Sequence, residues 1–535
     1  MNRPDDDKRP MRAAAGVWIV IAVACAIRVL HVFFTQRHNP LASDLVLDAA
    51  TYDRWARALA FGGDPGPTTL MQAPVYPWFL SLIYRAFGPS LAAVRIAQAL
   101  VGTASCGLIM LAARRFFRSN GAAIAAGLLA ALYAPLIFYE GVLVPATLIV
   151  FLNVLFVVVL FAEERPGRAR LLVSGVILGT ACAANPPTLL LIPFALLHLH
   201  AAGGSAKTAG GGRIPEAPSA REGRDGRALF RFFGDSLVLV LGIVVALAPM
   251  TIRNAIRTGE FIPLTTGGGI NFYEGNNPGA NGFYKVPLYG GASVGATPEE
   301  QSANMERIAS REAGRPLTQT EISRFWFRAG LAYIRGNPRA WGALVWDKFQ
   351  FFWNAYERAN VENLYFHRRF PGVLRLPLVT FGVIAPLGLL GVFLTRGKWR
   401  RLWLLYGITL TYLLTALMFY VLSRYRLPVV AALIPFAASA LTELFALARG
   451  RRTSELALSL AALAMLAFFS NMTVAKDTPG GIAGYYVRVG NVYIARGDTT
   501  RAEGAYRSAF ELDPSAPGLR HALDSIRDHA PKAQK

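Results

Sequence analysis

Charged residues are scarce in this sequence of 535 residues, where they make up only 16% of the chain. A soluble protein of ordinary composition carries about 25%. Hydrophobic residues reach 53%, and they are concentrated in blocks of roughly 20 residues, the length that crosses a hydrocarbon core of about 30 Å. The scarcity of charge therefore excludes an ordinary soluble protein and predicts an all-α, polytopic bundle of transmembrane helices.

Cysteine and histidine are also rare. The three cysteines, Cys25, Cys106 and Cys182, each lie inside an apolar block, which excludes a disulfide framework and the spacing of a zinc site. His38 is the only histidine of the first long loop, and His367 is the only one of the largest loop. Because the histidines form no cluster of ligands, the sequence predicts no metal site.

Acidic residues are few as well, with 33 against 55 basic residues and a net charge of +22. No basic soluble domain exists that could hold a nucleic-acid backbone. The basic residues cluster instead in short connections between apolar blocks: Arg114-Arg115, Arg165 to Arg170, Arg396 to Arg401 and Arg449 to Arg452. This is the pattern of cytoplasmic loops, so the charge indicates a multi-pass protein of the bacterial inner membrane rather than nucleic-acid binding.

About eleven apolar blocks are candidates for membrane spans. They cover residues 13–34, 91–113, 121–139, 141–162, 170–184, 187–200, 235–256, 372–395, 402–422, 427–447 and 455–474. The two blocks beside Asn185-Pro186-Pro187 are short, and because Pro-Pro ends a helix they are either two spans or one broken helix. Two spans place all four basic clusters on the cytoplasmic side, so the charge bias favours two.

Eleven spans and a cytoplasmic N-terminus define the domain organisation. The predicted parts are a cytoplasmic N-terminus (1–12), a membrane domain (13–474) with a first outer loop (35–90), a flexible cytoplasmic linker (201–231) and a large outer loop (257–371), and an extracytoplasmic tail (475–535). The linker is assigned because it is rich in Gly, Ala and Arg and poor in aromatic residues. Both long loops and the tail are thus expected on one side of the membrane.

The tail contains one repeat unit between Tyr485 and Asp513. Its apolar and small residues have the spacing of a tetratricopeptide helix–turn–helix, with Gly497-Asp498 at the turn. Since one such repeat cannot bury its own apolar face, we expect it to pack on the membrane domain, on another subunit or on a partner protein.

The first outer loop carries a candidate for chemistry. Residues 47–57 look helical, which puts Asp48 and Tyr52 on one shared face and lets Asp53 and Arg57 form an ordinary surface ion pair. Asp48 has no cation four residues on, and a carboxylate at the boundary of water and lipid can accept a proton from a substrate hydroxyl. From the residues alone, a solvated loop aspartate is the simpler interpretation.

Several motifs, taken in order along the chain, resemble those of a known family. They are residues 48–52 (DAATY), 73–77 (APVYP) and 84–88 (YRAFG) in the first loop, 138–140 (FYE) between the third and fourth spans, 275–282 (GNNPGANG) in the large loop and 423–428 (SRYRLP) in a late outer loop. Together they resemble GT-C membrane glycosyltransferases of the bacterial family 39 type, which are related to protein O-mannosyltransferases and lipid A aminoarabinose transferases. The resemblance covers about residues 13–440. The Gly-rich stretch lacks the Lys-Ser/Thr of a nucleotide loop and predicts a turn-rich lid.

The resemblance implies a reaction and the residues that perform it. Such enzymes pass a sugar from a polyprenyl-phosphate donor to an acceptor hydroxyl at the outer face of the membrane, usually with inversion. Asp48 would be the general base, and Glu140 would be the second acidic residue, which positions the acceptor or a divalent cation, the one cofactor considered. Tyr52, Arg424 and Arg426 are the candidate substrate-binding residues: Tyr52 shares a face with Asp48, and topology places both arginines at the outer surface, where arginine is suited to bidentate phosphate contacts. The family pattern does not fix which arginine binds the phosphate.

Some features leave other functions open. Ala49 stands where many relatives carry a glutamate, which argues against protein mannosylation. The expected partners are the donor lipid, an acceptor glycan, lipid or protein, membrane lipid, and a protein bound through the repeat. The alternatives are a transporter or flippase of lipid-linked saccharide and a membrane-anchored assembly protein. Transporters often place charges in mid-membrane, and here Arg28 and Arg95 lie in or near spans, but the spans show no internal repeat.

Overall fold

The computed structural model describes residues 8–162, 166–204, 218–289, 292–295, 297–473, 478–515, 519–520 and 522–524. Nearly all regular structure in these residues is helical. The two short strands of the described part, β1 (Leu288–Tyr289) and β2 (Ala292–Ser293), form one antiparallel hairpin. The expected all-α fold class is confirmed.

The first part of the chain forms one long helix, a folded loop and a series of apolar helices. Helix α1 (Lys8–His38) is followed by α2 (Asp48–Phe61) and α3 (Val75–Phe87) in the first loop. The next helices are α4 (Leu91–Phe117), α5 (Asn120–Ala131), α6 (Ala134–Glu140), α7 (Ala146–Leu160), α8 (Arg168–Ala184), α9 (Ile192–Gly204) and α10 (Pro218–Thr258). A 3-10 turn, Pro186–Leu191, separates α8 from α9, because the prolines there lack the N–H groups that would continue α8.

The large loop is a folded unit rather than a run of turns. Its helices are α11 (Gly268–Gly275), α12 (Pro298–Glu312), α13 (Gln319–Gly336), α14 (Pro338–Trp353) and α15 (Leu364–His367). Thr297 and Thr318 cap the N-termini of α12 and α13, and each threonine exchanges hydrogen bonds with the glutamate three residues on. These capping boxes fix where the two helices start.

The last part of the chain returns to apolar helices and ends in a pair of amphipathic ones. These are α16 (Phe381–Leu394), α17 (Trp399–Met418), α18 (Ser423–Arg449), α19 (Thr453–Asn471), α20 (Pro479–Ala495) and α21 (Thr499–Leu512). Each of the eleven predicted spans contains a helix.

Six helices in the described ranges are long and apolar enough to cross a membrane. They are Ala15–His38, Leu91–Phe117, Leu229–Thr258, Arg396–Met418, Ser423–Arg449 and Thr453–Asn471, and shorter apolar helices cover Asn120–Ala131, Ala146–Leu160, Pro186–His200 and Phe381–Leu394. The chain is therefore a multi-pass membrane protein. The count of eleven spans stays a prediction.

Two predicted segments differ from the structure. The block 121–139 is not one helix, since Pro135 in the first turn of α6 starts a new helix after α5. Residues 218–231, expected to be part of a flexible linker, belong to α10, because their alanines, arginines and glutamate favour a helix. Residues 205–217 of that linker lie outside the described residues.

Both long loops fold over the same end of the bundle. The Thr266 N–H donates to the Leu70 carbonyl at 2.9 Å, and the Asn39 amide lies 3.1 Å from His367 Nδ1. We call residues 39–90 and 257–379 the loop layer. At the opposite end of the bundle, Arg401 donates to the backbone carbonyl of Arg115, so residues of two basic clusters lie together, away from the loop layer.

Helices α20 and α21 form a helix–turn–helix pair that rests on the loop layer. Gly497 makes the turn with a φ of 75°, a conformation that glycine adopts without strain. Gly490 lets the helices approach, since a Cβ there would lie 2.4 Å from the Tyr506 ring. The apolar face of the pair covers Leu41 and Phe366. The pair therefore contacts the membrane domain, which is one of the three expected docking surfaces.

Arg488 joins this helix pair to both parts of the loop layer. Its Nε lies 2.8 Å from Asp44 Oδ2 and its Nη2 lies 2.9 Å from Glu362 Oε1. We expect Arg488→Ala to speed hydrogen exchange in α20, because the variant leaves Glu362, which is only 8% exposed, without its arginine. A lost charge-assisted hydrogen bond of this kind costs about 1.5–3 kcal/mol.

Arg507→Ala is the matched control for this prediction, because Arg507 on the same pair makes an exposed ion pair with Glu503 at 2.8 Å. Exposed pairs contribute about 0–1 kcal/mol. Equal exchange rates in α20 for the Arg488 variant, its control and the parent protein would contradict the docking role of Arg488.

Candidate active site

A cavity of about 690 Å³ lies between the loop layer and the helix bundle. Its volume is in the usual range of ligand-binding pockets. The first loop contributes Asp48, Tyr52 and Gln72 to its wall, and the large loop contributes polar and apolar residues between 265 and 305 and residue 360. The bundle contributes the ends of α7, α8, α17 and α18. The cavity therefore collects side chains that lie hundreds of residues apart in the sequence.

Asp48 occupies the first turn of α2 and faces this cavity. Its Oδ2 lies 2.7 Å from Arg424 Nη2, and its Oδ1 lies 3.5 Å from the Gln72 amide. The preceding residue, Leu47, has a φ of 50°, which is uncommon for a residue with a branched side chain and stores strain. Strain of this kind is often found at functional sites, and here it lies at the residue directly before Asp48.

Arg424 lies in the first turn of α18 and is the only basic residue among the described residues that line the cavity. Its guanidinium carbon stands 5.1 Å from the centre of the Tyr425 ring. Its Nε is buried and has no hydrogen-bond partner. Because a buried donor without a partner is costly, the Nε–H is suited to an acceptor oxygen of a ligand.

Tyr52 lies one helical turn after Asp48 and also lines the cavity. Its ring packs edge-to-face on Tyr76 with centroids 5.2 Å apart. Burial, followed by the charge of Asp48, raises the pKa of Tyr52 above its ordinary value, so its hydroxyl stays protonated and can donate. The structure thus brings Asp48, Tyr52 and Arg424, three of the residues proposed from the sequence, into the wall of one cavity.

Glu140 does not line this cavity. It is buried between helices of the bundle, with its Oε2 2.8 Å from Arg28 Nε. Gly102 makes room for it, since a Cβ at that position would lie 2.0 Å from Glu140 Oε1. A buried arginine requires a counter-charge, and Glu140 supplies it. The structure therefore places the expected second acidic residue outside the lining of the cavity that contains Asp48.

Arg426 does not line the cavity either. Its guanidinium donates to the carbonyls of Phe352 and Tyr356 at 3.1 and 3.2 Å and pairs with Glu357 at 2.7 Å. It also stacks on the Phe381 ring at 4.3 Å. These contacts fix the turn after α14, so Arg426 is used inside the protein rather than presented to a substrate.

The sequence interpretation missed other polar residues of the cavity. Glu274 at the end of α11 is 5% exposed and lines the cavity wall. Near it, the Tyr284 hydroxyl donates to Gln301 at 2.7 Å and the Tyr420 hydroxyl donates to Asn271 at 3.1 Å. The only available signal was the position of Glu274 just before the Gly-rich stretch 275–282.

The wall on the bundle side is formed by the helix break after α8. The Tyr412 hydroxyl binds Asn153, Asn185 and Thr188 at 2.9, 3.2 and 3.1 Å, which satisfies the polar groups that the break exposes. Apolar side chains continue this wall: Ile149, Pro187, Leu190 and Leu414. The bundle side of the cavity thus combines the polar groups of the helix break with a stretch of apolar wall.

Within the described ranges, no group of three or more His, Cys, Asp or Glu side chains is arranged to hold a metal ion. His367, the only histidine of the large loop, instead lies 3.0 Å from Glu362. The divalent cation implied by the family resemblance stays a prediction.

One family model matches part of the chain. It is described as "Dolichyl-phosphate-mannose-protein mannosyltransferase" and matches residues 71–209. The matched segment contains Glu140 but does not reach Asp48, Glu274 or Arg424. A search of the curated proteins finds no match.

Solved structures resemble the chain at low sequence identity. The oligosaccharyltransferase of Archaeoglobus fulgidus, crystallised with a tethered acceptor peptide that contains the NVT sequon, is 12% identical with a TM-score of 0.45, and 89% of this chain and 57% of that chain are covered. This chain therefore spans just over half the length of that enzyme. ArnT from Cupriavidus metallidurans bound to undecaprenyl phosphate is 16% identical with a TM-score of 0.35, covering 82% and 79%. Its apo structure is 18% identical with a TM-score of 0.34, covering 80% and 78%.

Proposed function

We propose that this protein is a GT-C membrane glycosyltransferase that moves a sugar from a polyprenyl-phosphate donor to an acceptor hydroxyl. The observation that carries this proposal is the pair of Asp48 and Arg424, 2.7 Å apart in one cavity. Sugar transfer from a lipid phosphate needs a base for the acceptor and a cation for the leaving phosphate. The mannosyltransferase family match over residues 71–209 supports the same class of reaction.

The reaction follows from these two groups. Asp48 takes the proton of the acceptor hydroxyl while that oxygen attacks the anomeric carbon of the sugar. A new carbon–oxygen bond forms, and the bond from the anomeric carbon to the phosphate oxygen breaks. The electron pair leaves with the phosphate, which gains a second negative charge that the Arg424 guanidinium stabilises. A single attack opposite the leaving phosphate inverts the anomeric configuration.

The cavity also accounts for the lipid part of the donor. Its apolar wall, which includes Ile149, Leu190 and Leu414, suits a prenyl chain that enters from the hydrocarbon region. The phosphate then lies near Arg424. The basic clusters at the opposite end of the bundle favour the loop layer as the outer side, so we place transfer at the outer face of the bacterial inner membrane, with an envelope glycan, lipid or protein as acceptor.

The test uses purified protein in vesicles that contain lipid-linked sugars extracted from metabolically labelled cells of the source bacterium, with an unlabelled envelope fraction of the same cells as the source of the acceptor. We expect label to leave the polyprenyl-phosphate fraction and to appear in a new product, with free polyprenyl phosphate released. Parallel samples with a chelator test the predicted divalent cation. Movement of labelled lipid across the vesicle membrane without loss of its sugar would instead indicate a flippase and would reject the transferase.

A further inference from the structure

The carboxyl group of Glu274 has no role in the reaction proposed above, although it lines the same cavity as Asp48. It lies at the end of α11 and is 5% exposed. Burial of a carboxyl group is unfavourable unless it is hydrogen-bonded or neutral. The residues around Glu274 must therefore hydrogen-bond its carboxyl group or keep it neutral.

The backbone next to Glu274 is held in place by hydrogen bonds and close packing. Lys348 Nζ donates to the carbonyls of Gly275 and Leu417 at 3.0 and 3.1 Å, which ties the residue after Glu274 to the end of α17. A Cβ at Gly275 would lie 2.1 Å from the Phe419 carbonyl oxygen. Because the backbone at Gly275 is in contact with the backbone at Phe419, the position from which the Glu274 side chain extends into the cavity is fixed.

The side chains nearest Glu274 are neutral hydrogen-bonding groups. The Tyr420 hydroxyl donates to Asn271 Oδ1 at 3.1 Å, and its oxygen also lies within hydrogen-bonding reach of the Glu274 carboxyl group. The Tyr284 hydroxyl, which donates to Gln301 at 2.7 Å, completes this polar patch. Hydroxyl, amide and carboxyl groups arranged on one wall match the ring hydroxyls of a sugar, which both donate and accept.

We propose that Glu274 is a specificity-determining residue that hydrogen-bonds a ring hydroxyl of the transferred sugar, and that this sugar carries no negative charge at that point. The inference rests on the proposed transferase function. The phosphate belongs at Arg424, which is the only basic residue among the described cavity residues. A negatively charged sugar beside Glu274 would be repelled by the carboxylate of Asp48, and no second cation lies among the described cavity residues to balance the charge of the sugar.

The electrostatics of the cavity agree with a protonated Glu274 at neutral pH. Burial, and then the charge of Asp48, raise the pKa of Glu274 to about 8, while its hydrogen bond with Tyr420 acts in the other direction. Burial lowers the pKa of Lys348 to about 7. The titratable groups around Glu274 come from several elements: Asp48 on α2, Tyr284 after α11, Lys348 on α14, Tyr420 after α17, and Arg424 and Tyr425 on α18.

A lipid-binding experiment tests the proposal. Detergent-purified protein is incubated with undecaprenyl phosphate together with the undecaprenyl-phosphate sugars extracted from the source cells, and bound lipids are measured by mass spectrometry. We expect the parent protein to prefer a sugar-carrying lipid over the bare carrier, and Glu274→Ala to lower that preference about tenfold, the effect of one lost hydrogen bond. Binding of the bare carrier should not change.

The pH dependence separates recognition from a structural role. Above about pH 8 Glu274 loses its proton and can no longer donate a hydrogen bond to a ring hydroxyl. The preference for the sugar-carrying lipid should therefore decline in the parent protein. Glu274→Gln stays neutral at all these pH values and should keep the preference without the decline, even though Lys348 still titrates. Glu306→Gln, at an exposed position on α12, is the matched control and should behave as the parent protein.

The outcomes are distinct. An unchanged preference in Glu274→Ala, or the same alkaline decline in Glu274→Gln as in the parent protein, would overturn the role of Glu274. A parent protein that binds both lipids equally well would also overturn it. A parent protein that binds neither lipid would reject the proposed function itself.

Discussion

Asp48→Asn should lower the rate of sugar transfer by about 10²–10⁴-fold, the usual contribution of a general base. Asparagine has nearly the same shape but cannot take the proton of the acceptor hydroxyl. It also removes the negative charge that holds Arg424 at 2.7 Å, which leaves the guanidinium free for the donor phosphate. Binding of polyprenyl phosphate should therefore be kept or strengthened while turnover is lost.

The control for this variant is Asp64→Asn, because Asp64 lies in the same loop at an exposed position after α2. Its side chain accepts a hydrogen bond from the Gly66 N–H at 2.9 Å, which an asparagine can also accept. Product formation is followed with the labelled lipids described above. Full activity in Asp48→Asn protein would remove Asp48 from the reaction, and loss of folded protein would be seen by gel filtration.

The helices were predictable from the sequence because a run of apolar residues is a local property. The first span, for example, was expected at residues 13–34 and lies within Lys8–His38. Asp48 and Arg424 were each proposed from local motifs. Their contact could not be predicted, since 376 residues separate them in the chain and only the packing of the first loop on α18 brings them together.

Glu140 shows a signal in the sequence that could have been used. Arg28 lies in the middle of an apolar span, and a charge at such a position usually pairs with another buried group. Glu140, next to the third span, is that partner at 2.8 Å. As the counter-charge to Arg28, Glu140 is not available as the second acid of the cavity. That acid is then to be expected in another segment, such as the large loop.

Glu274 had no comparable signal. Carboxylates are common in loops, and nothing local distinguishes a buried one from a solvated one. Its burial depends on contacts with distant residues, such as the hydrogen bond from Lys348 to the carbonyl of the neighbouring Gly275 at 3.0 Å. A lysine with two carbonyl partners is likewise not visible from the sequence. The polar wall of the cavity is thus a property of tertiary structure.

Arg424→Ala should have the second large effect. It removes the only cation among the described residues of the cavity wall, so the second charge that forms on the leaving phosphate is no longer balanced. Loss of one such electrostatic contact costs about 10²–10³-fold in turnover. Binding of bare undecaprenyl phosphate should weaken about tenfold or more, since a hydrogen bond to a charged group contributes about 1.5–3 kcal/mol.

Arg424→Lys separates charge from geometry. Lysine keeps the positive charge but lacks the planar fork that contacts two phosphate oxygens, so it should restore part of the binding and less of the turnover. Arg328→Ala, at an exposed position on α13, is the control. Because Asp48 and Arg424 are in contact, the double variant Asp48→Asn with Arg424→Ala should lose less turnover than the product of the two single losses. Strictly multiplicative losses would mean that the two side chains act independently, contrary to the paired site.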